Sequence, residues 1–157
     1  MAVVIDYQNV HVTAAGLFLP ARPPEEALID PHRFSCQLAR ARNTATIEVL
    51  LGVHQWREKP VRLSRREKRV NVMCSPTLVD LARCGLHDII VPASRDTDPA
   101  PAFDHAARTG HAKIEAAKWY HPNKPSTRGR IKTERRLWTT SMTQEHFSAS
   151  PDLRDDT

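Results

Sequence analysis

The stretch Val91-Pro92-Ala93-Ser94-Arg95-Asp96-Thr97-Asp98 decides how this chain is read. It continues the apolar run Ile89-Ile90-Val91, whose β-branched residues predict a buried strand. The run gives way to a turn with aspartates at alternate positions. Pro99 and Pro101 then open a helical segment that ends near Thr109, with Gly110 as its stop. Strand, acidic turn, helix is the arrangement in which open α/β sheets carry ligands, because the carboxyl ends of parallel strands border a crevice. The amino-terminal end supplies a counterpart: Val3-Val4-Ile5 ends in Asp6, followed by Tyr7-Gln8-Asn9. If the two strands are neighbours, Asp6, Asp96 and Asp98 meet at one rim.

Such a meeting has an electrostatic consequence. Two carboxylates about 4 Å apart repel by about 4 kcal/mol at an effective dielectric of about 20. A rim of three therefore needs a cation or a shared proton. All-oxygen donors suit Mg²⁺ or Mn²⁺ rather than zinc, so the pattern predicts a hard-metal site.

Working outward, residues 2–5 read as a first strand, apolar throughout and hence central and parallel. Residues 11–29 carry Pro20, Pro23 and Pro24 and read as a loop. Asp30 stands as an N-cap before Pro31, so a helix over 31–42 is expected, with Phe34, Leu38 and Ala41 on its buried stripe. Residues 46–54 read as a second strand and residues 70–73 as a third. Ser75 then caps, and Pro76 starts, a helix running to about Cys84, with Gly85 as its stop. After the fourth strand and its acidic turn, residues 112–117 form a fifth, and Leu137-Trp138-Thr139 adds an edge strand. Strands alternating with helices predict a parallel α/β sandwich. One domain spans 1–140, followed by a partly disordered tail over 141–157 with Phe147 as a last anchor.

The bulk properties fit this outline. A chain of 157 residues, 40% hydrophobic and 26% charged, builds one ordinary core. Its net charge of +5 suits a polyanionic partner without requiring one. Cys36, Cys74 and Cys84 lack zinc-ligand spacing and leave one thiol over in any pairing, so they read as free thiols. The first apolar run is too short for a secretory signal, and no stretch approaches transmembrane length. A cytoplasmic protein without membrane contact is expected. A dense basic run, Arg57 through Arg69, and a second cluster of Arg128, Arg130, Lys132, Arg135 and Arg136 offer cations for phosphate contacts. The histidines are scattered without ligand spacing. Trp119 and Trp138 each follow a strand-like run and are expected in the core.

Val4-Ile5-Asp6-x-x-Asn9-Val10, then Glu67-Lys68-x-Val70-x-Val72, then Asp88-Ile89-Ile90-Val91 leading to Ser94-x-Asp96-x-Asp98, resembles the NYN domain over about residues 2–119. NYN domains belong to the PIN-like superfamily of metal-dependent ribonucleases. The resemblance implies a PIN-like, Rossmannoid three-layer sandwich with a mostly parallel central sheet. It also implies RNA as partner, Mg²⁺ or Mn²⁺ as cofactor, and phosphodiester hydrolysis as the reaction. On that reading Asp6, Asp96 and Asp98 are catalytic metal ligands, with Asp80 as a further candidate. Asn9, Ser94, Lys68, Arg65 and Arg66 would hold the substrate.

The chain departs from the family in two ways. Residues 54–67 are too short for the helix and strand that NYN domains usually carry there, and Asn71 and Thr77 stand where the family has aspartates. These departures motivate the alternative of a catalytically weakened NYN-like protein that binds RNA.

Overall fold

Strand β1 (Ala2–Asp6) is the spine of the fold, with all five residues buried. In the computed structural model, which describes residues 1–44, 46–52 and 68–152 (51–52 and 68–73 by their backbone alone), β1 pairs in parallel on both sides. One neighbour is β2 (Glu48–Gly52) and the other is β3 (Ile89–Ala93). Beyond β3 come β4 (Lys113–Ile114) and β5 (Ala116–Trp119), and β6 (Thr139–Met142) closes the far edge. Among the described residues the sheet order is β2-β1-β3-β5-β6, with β4 on β3 and every pairing parallel.

Helices cover both faces, as parallel strands require. Val3, Ile5, Val91, Ala93, Ala117 and Trp119 face α1 (Tyr7–Phe18), α2 (Pro31–Ala41) and α5 (Gln144–Ser148). Ala2, Val4, Ile90 and Ile114 face α3 (Lys68–Arg83) and α4 (Ala100–Thr109). Val3 and Ile5 point one way while Ala2 and Val4 point the other, the two-residue period of a strand buried on both sides. The result is a three-layer α/β sandwich. No helix among the described residues is long and apolar enough to cross a membrane.

Several sequence expectations change in detail. The segment over 11–29 expected as loop is helix as far as Phe18, because Val10, Ala14 and Phe18 recur at four-residue spacing and bury one stripe of α1. Its prolines lie beyond the end of that helix. The third strand expected at 70–73 is the opening of α3, and Pro76 lies inside that helix instead of starting it. The expected fifth strand divides at Glu115, fully buried and ion-paired with Arg42 at the end of α2 and with Lys113 at 2.9 Å. The expected edge strand begins later, at Thr139, and Trp138 is 61% exposed, its ring under the Arg42 guanidinium at 5.3 Å. Trp119 is in the core as expected, meeting Phe18, Phe34 and Phe147 edge-on.

The tail expected from residue 141 is part of the sandwich as far as Asp152. Met142 is fully buried, Phe147 stacks on Phe18, and Ile29 bridges to Pro151. The helix expected at 31–42 has the predicted start, with Asp30 Oδ1 accepting the Arg33 amide at 2.8 Å and Pro31 in the first position.

Candidate functional site

The register of β1 on β3 sets Ile5 opposite Ala93, so the next residues, Asp6 and Ser94, emerge side by side at the carboxyl end of the sheet. Both are buried. The Ser94 hydroxyl donates to Asp6 Oδ2 at 3.4 Å and accepts the backbone N–H of Asp96 at 3.0 Å. The amide of Asp98 in turn donates to Asp96 Oδ1 at 3.1 Å. These are the side-chain-to-backbone bonds that Ser and Asp favour in turns, and they fold residues 94–98 into a compact acidic loop.

Asp6 has a second task. Its Oδ1 accepts the Asn9 amide at 3.2 Å and so caps α1. A carboxylate at a helix N-terminus is stabilised by the aligned peptide dipoles. Asn9 closes the circuit: its Oδ1 accepts the Arg95 amide at 2.8 Å. Of the three aspartates expected at one rim, Asp6 and Asp96 are joined through the Ser94 hydroxyl, and Asn9 ties the same loop to α1.

The remaining candidates fall differently. Asp98 is exposed, and its backbone amide donates to Asp96. Asp80 is exposed on α3. Among the described residues no group of three or more His, Cys, Asp or Glu side chains is placed to hold a metal ion. Arg65 and Arg66 lie outside the described residues, as do His54 and Trp56, and Lys68 is described only by its backbone at the start of α3.

The surroundings of Asp6 register its charge. Cys74, on α3, borders the small apolar recess that Asp6 and Ser94 also line. Burial, and after it the Asp6 carboxylate, push the Cys74 thiol from 9.0 to about 11. Both causes disfavour a second negative charge beside the first.

Sequence reading missed Lys118. It lies on β5, next to Ala117, which pairs with Ala93. Its ammonium donates to the carbonyls of Thr127 and Gly129 and borders a cavity of about 270 Å³ that also touches Ser94 and Arg95. Burial, then the charges of Arg130 and Arg95, lower its pKa from the ordinary lysine value. A lysine inside an otherwise apolar strand, Ala116-Ala117-Lys118-Trp119, was the available signal.

No protein-family model matches the chain, and no curated protein matches it. Among solved structures the chain is similar to a protein of unknown function from Vibrio parahaemolyticus, at 13% identity and a TM-score of 0.40 over 74% of this chain and 79% of that one. A likeness that slight carries no argument about function.

Proposed function

We propose that the protein is a metal-dependent ribonuclease of the NYN type, hydrolysing RNA phosphodiester bonds at the rim formed by Asp6, Ser94 and Asp96. The observation that carries this reading is the Ser94 hydroxyl, bonded to Asp6 Oδ2 at 3.4 Å and to the Asp96 amide at 3.0 Å where two parallel strands end. The donor set fits a hard divalent ion. Its oxygens come from carboxylates and a hydroxyl, and Mg²⁺ is often held by one or two protein carboxylates with water completing the shell. Asp6 and Asp96 would hold Mg²⁺ or Mn²⁺, with Asp98 and Asp80 at the periphery. Such an ion, when bound, lowers the pKa of a water and neutralises charge on the reacting phosphate.

The chain's own side chains do the rest. Ser94 keeps the two carboxylate-bearing segments in register, and Asn9 holds the acidic loop against α1. Arg95 and Lys118, on the cavity side of the rim, offer cationic contacts to the RNA backbone, whose phosphates dominate the affinity of such complexes.

A second reading is a catalytically weakened relative that binds RNA without cutting it. It is favoured by the exposed position of Asp80 and by Asn71 and Thr77, which leave fewer carboxylates than the family pattern asks for.

The test is an RNA cleavage assay on the full chain with and without Mn²⁺. Metal-dependent cleavage that disappears in Asp96→Asn while RNA binding persists supports the nuclease. RNA binding without cleavage in any metal supports the second reading, and no RNA affinity at low salt sinks both.

A further inference from the structure

Beside the acidic rim, and sharing Ser94, Arg95 and Thr97 with it, lies the cavity of about 270 Å³ walled by β5, the start of β6 and residues 126–131. Its lining contains Lys118, Arg95 and Arg130 and no aspartate or glutamate. Like charges at close range repel, so an anion received between these three side chains would be favoured.

Two of these cations are held in place. Lys118 donates to the carbonyls of Thr127 and Gly129, and Arg95 Nη2 donates to the Ser126 carbonyl at 3.3 Å. An ammonium carries three N–H bonds, so one remains beyond those two carbonyls. Thr127, itself buried, fixes the loop that supplies them by accepting the His121 amide at 3.1 Å and donating to the Lys124 carbonyl at 2.7 Å. Thr97, which also carries a hydroxyl, borders the same space.

We propose that this cavity receives a phosphate monoester, with Lys118, Arg95 and Arg130 as its grip: the terminal phosphate of an RNA strand or of a mononucleotide. A bridging diester carries one negative charge, whereas a terminal phosphate carries close to two and presents three acceptor oxygens, the better match to three convergent cations. Burial, then the charges of Arg130 and Arg95, lower the Lys118 pKa, and an anion held against its ammonium would favour the charged form. This assignment rests on the RNA reading for its ligand class, but it requires neither a metal nor cleavage.

The experiment measures fluorescence anisotropy of internally labelled single-stranded RNA with the full chain in EDTA. Three oligonucleotides of one sequence are compared: with a 5′-phosphate, with a 3′-phosphate, and with hydroxyls at both ends. The expected result is about tenfold tighter binding of one phosphorylated oligonucleotide, the scale of a pair of charge-assisted hydrogen bonds. Which end is preferred identifies the source. That preference should vanish in Lys118→Met and shrink in Arg130→Gln, where an exposed side chain is changed and folding is undisturbed. If adenosine monophosphate binds and loses affinity in the same variants, while the three RNAs bind equally, the source is a free nucleotide. Equal binding of all three RNAs with no mononucleotide binding overturns the proposal, as does a preference untouched in both variants. A chain that discriminates phosphorylated ends in EDTA but cleaves nothing in Mn²⁺ fails the nuclease reading alone.

Discussion

The amide of Arg95 donates to Oδ1 of Asn9 across 2.8 Å, joining the loop after β3 to the first turn of α1 over 86 positions of sequence. One side-chain carbonyl oxygen thus sets how far the acidic loop stands from Asp6. Asn9→Ala should lower stability by about 1 kcal/mol, the usual net worth of one hydrogen bond. Urea denaturation reads that loss. If the loop position matters for chemistry, cleavage should fall further than the change in stability accounts for.

Ser94→Ala removes the hydroxyl that touches both halves of the rim. Ser94 is buried, so the Asp96 amide loses its acceptor and Asp6 Oδ2 loses a donor. The expected destabilisation is about 1–3 kcal/mol, with Mn²⁺-dependent cleavage reduced at least about tenfold. Ser94→Thr, which retains the hydroxyl, should recover part of the cleavage; no difference between the two variants counts against the role given to Ser94.

Cys74 provides a pH test. Its folded pKa is raised from 9.0 to about 11, so the native state holds the thiol proton more tightly than the unfolded chain. The resulting contribution to stability is complete below pH 9 and is lost as the pH rises through about 11. At pH 8 the thiolate fraction is about a hundredfold below that of an ordinary thiol. Iodoacetamide should therefore modify the exposed Cys84 long before Cys74. Asp6→Asn, which removes one cause of the shift, should speed alkylation of Cys74, measured by mass spectrometry of the modified peptides.

Gly110 is predicted to resist substitution for a reason other than backbone conformation. Its φ of −89° suits any residue, but an added Cβ would sit 2.6 Å from Ala82 Cβ, 2.7 Å from the Ala106 carbonyl oxygen and 2.8 Å from that of Ala82. The close approach exists because His111 donates its amide to the Ala82 carbonyl at 2.7 Å, bringing the ends of α3 and α4 together. Gly110→Ala should cost about 1–3 kcal/mol by overpacking. Thermal unfolding checks it. By contrast, Gly129→Ala has open space around it and should be close to neutral.

Much of the fold was legible because parallel strands buried on both faces read as unbroken apolar runs. Val3-Val4-Ile5 and Ile89-Ile90-Val91 could hardly be anything else, and the turn chemistry of Ser94 and Asp96 marked the rim. Proline is a poor guide in two places. Pro20, Pro23 and Pro24 follow a helix whose buried stripe is Val10, Ala14 and Phe18, and α3 runs through Pro76 rather than starting at it. In the second case the β-branched residues Val70 and Val72 looked like a strand, yet helical packing of Leu78 and Ala82 against Val4 and Ile90 outweighs local propensity. Lys118 stayed hidden for another reason. A single charge in an apolar run says nothing about the loop of residues 126–131 that folds over it.

Because β1 lies between β2 and β3, this strand depends on chain made much later. On a ribosome, Val3, Val4 and Ile5 emerge before either neighbour, since the first pairing partner begins at Glu48 and the second at Ile89. Until both have been synthesised, an aggregation-prone ribbon must wait with its edges open. Nascent-chain stalling before and after Ala93 should therefore divide a protease-sensitive, chaperone-bound species from one whose sheet has begun to close.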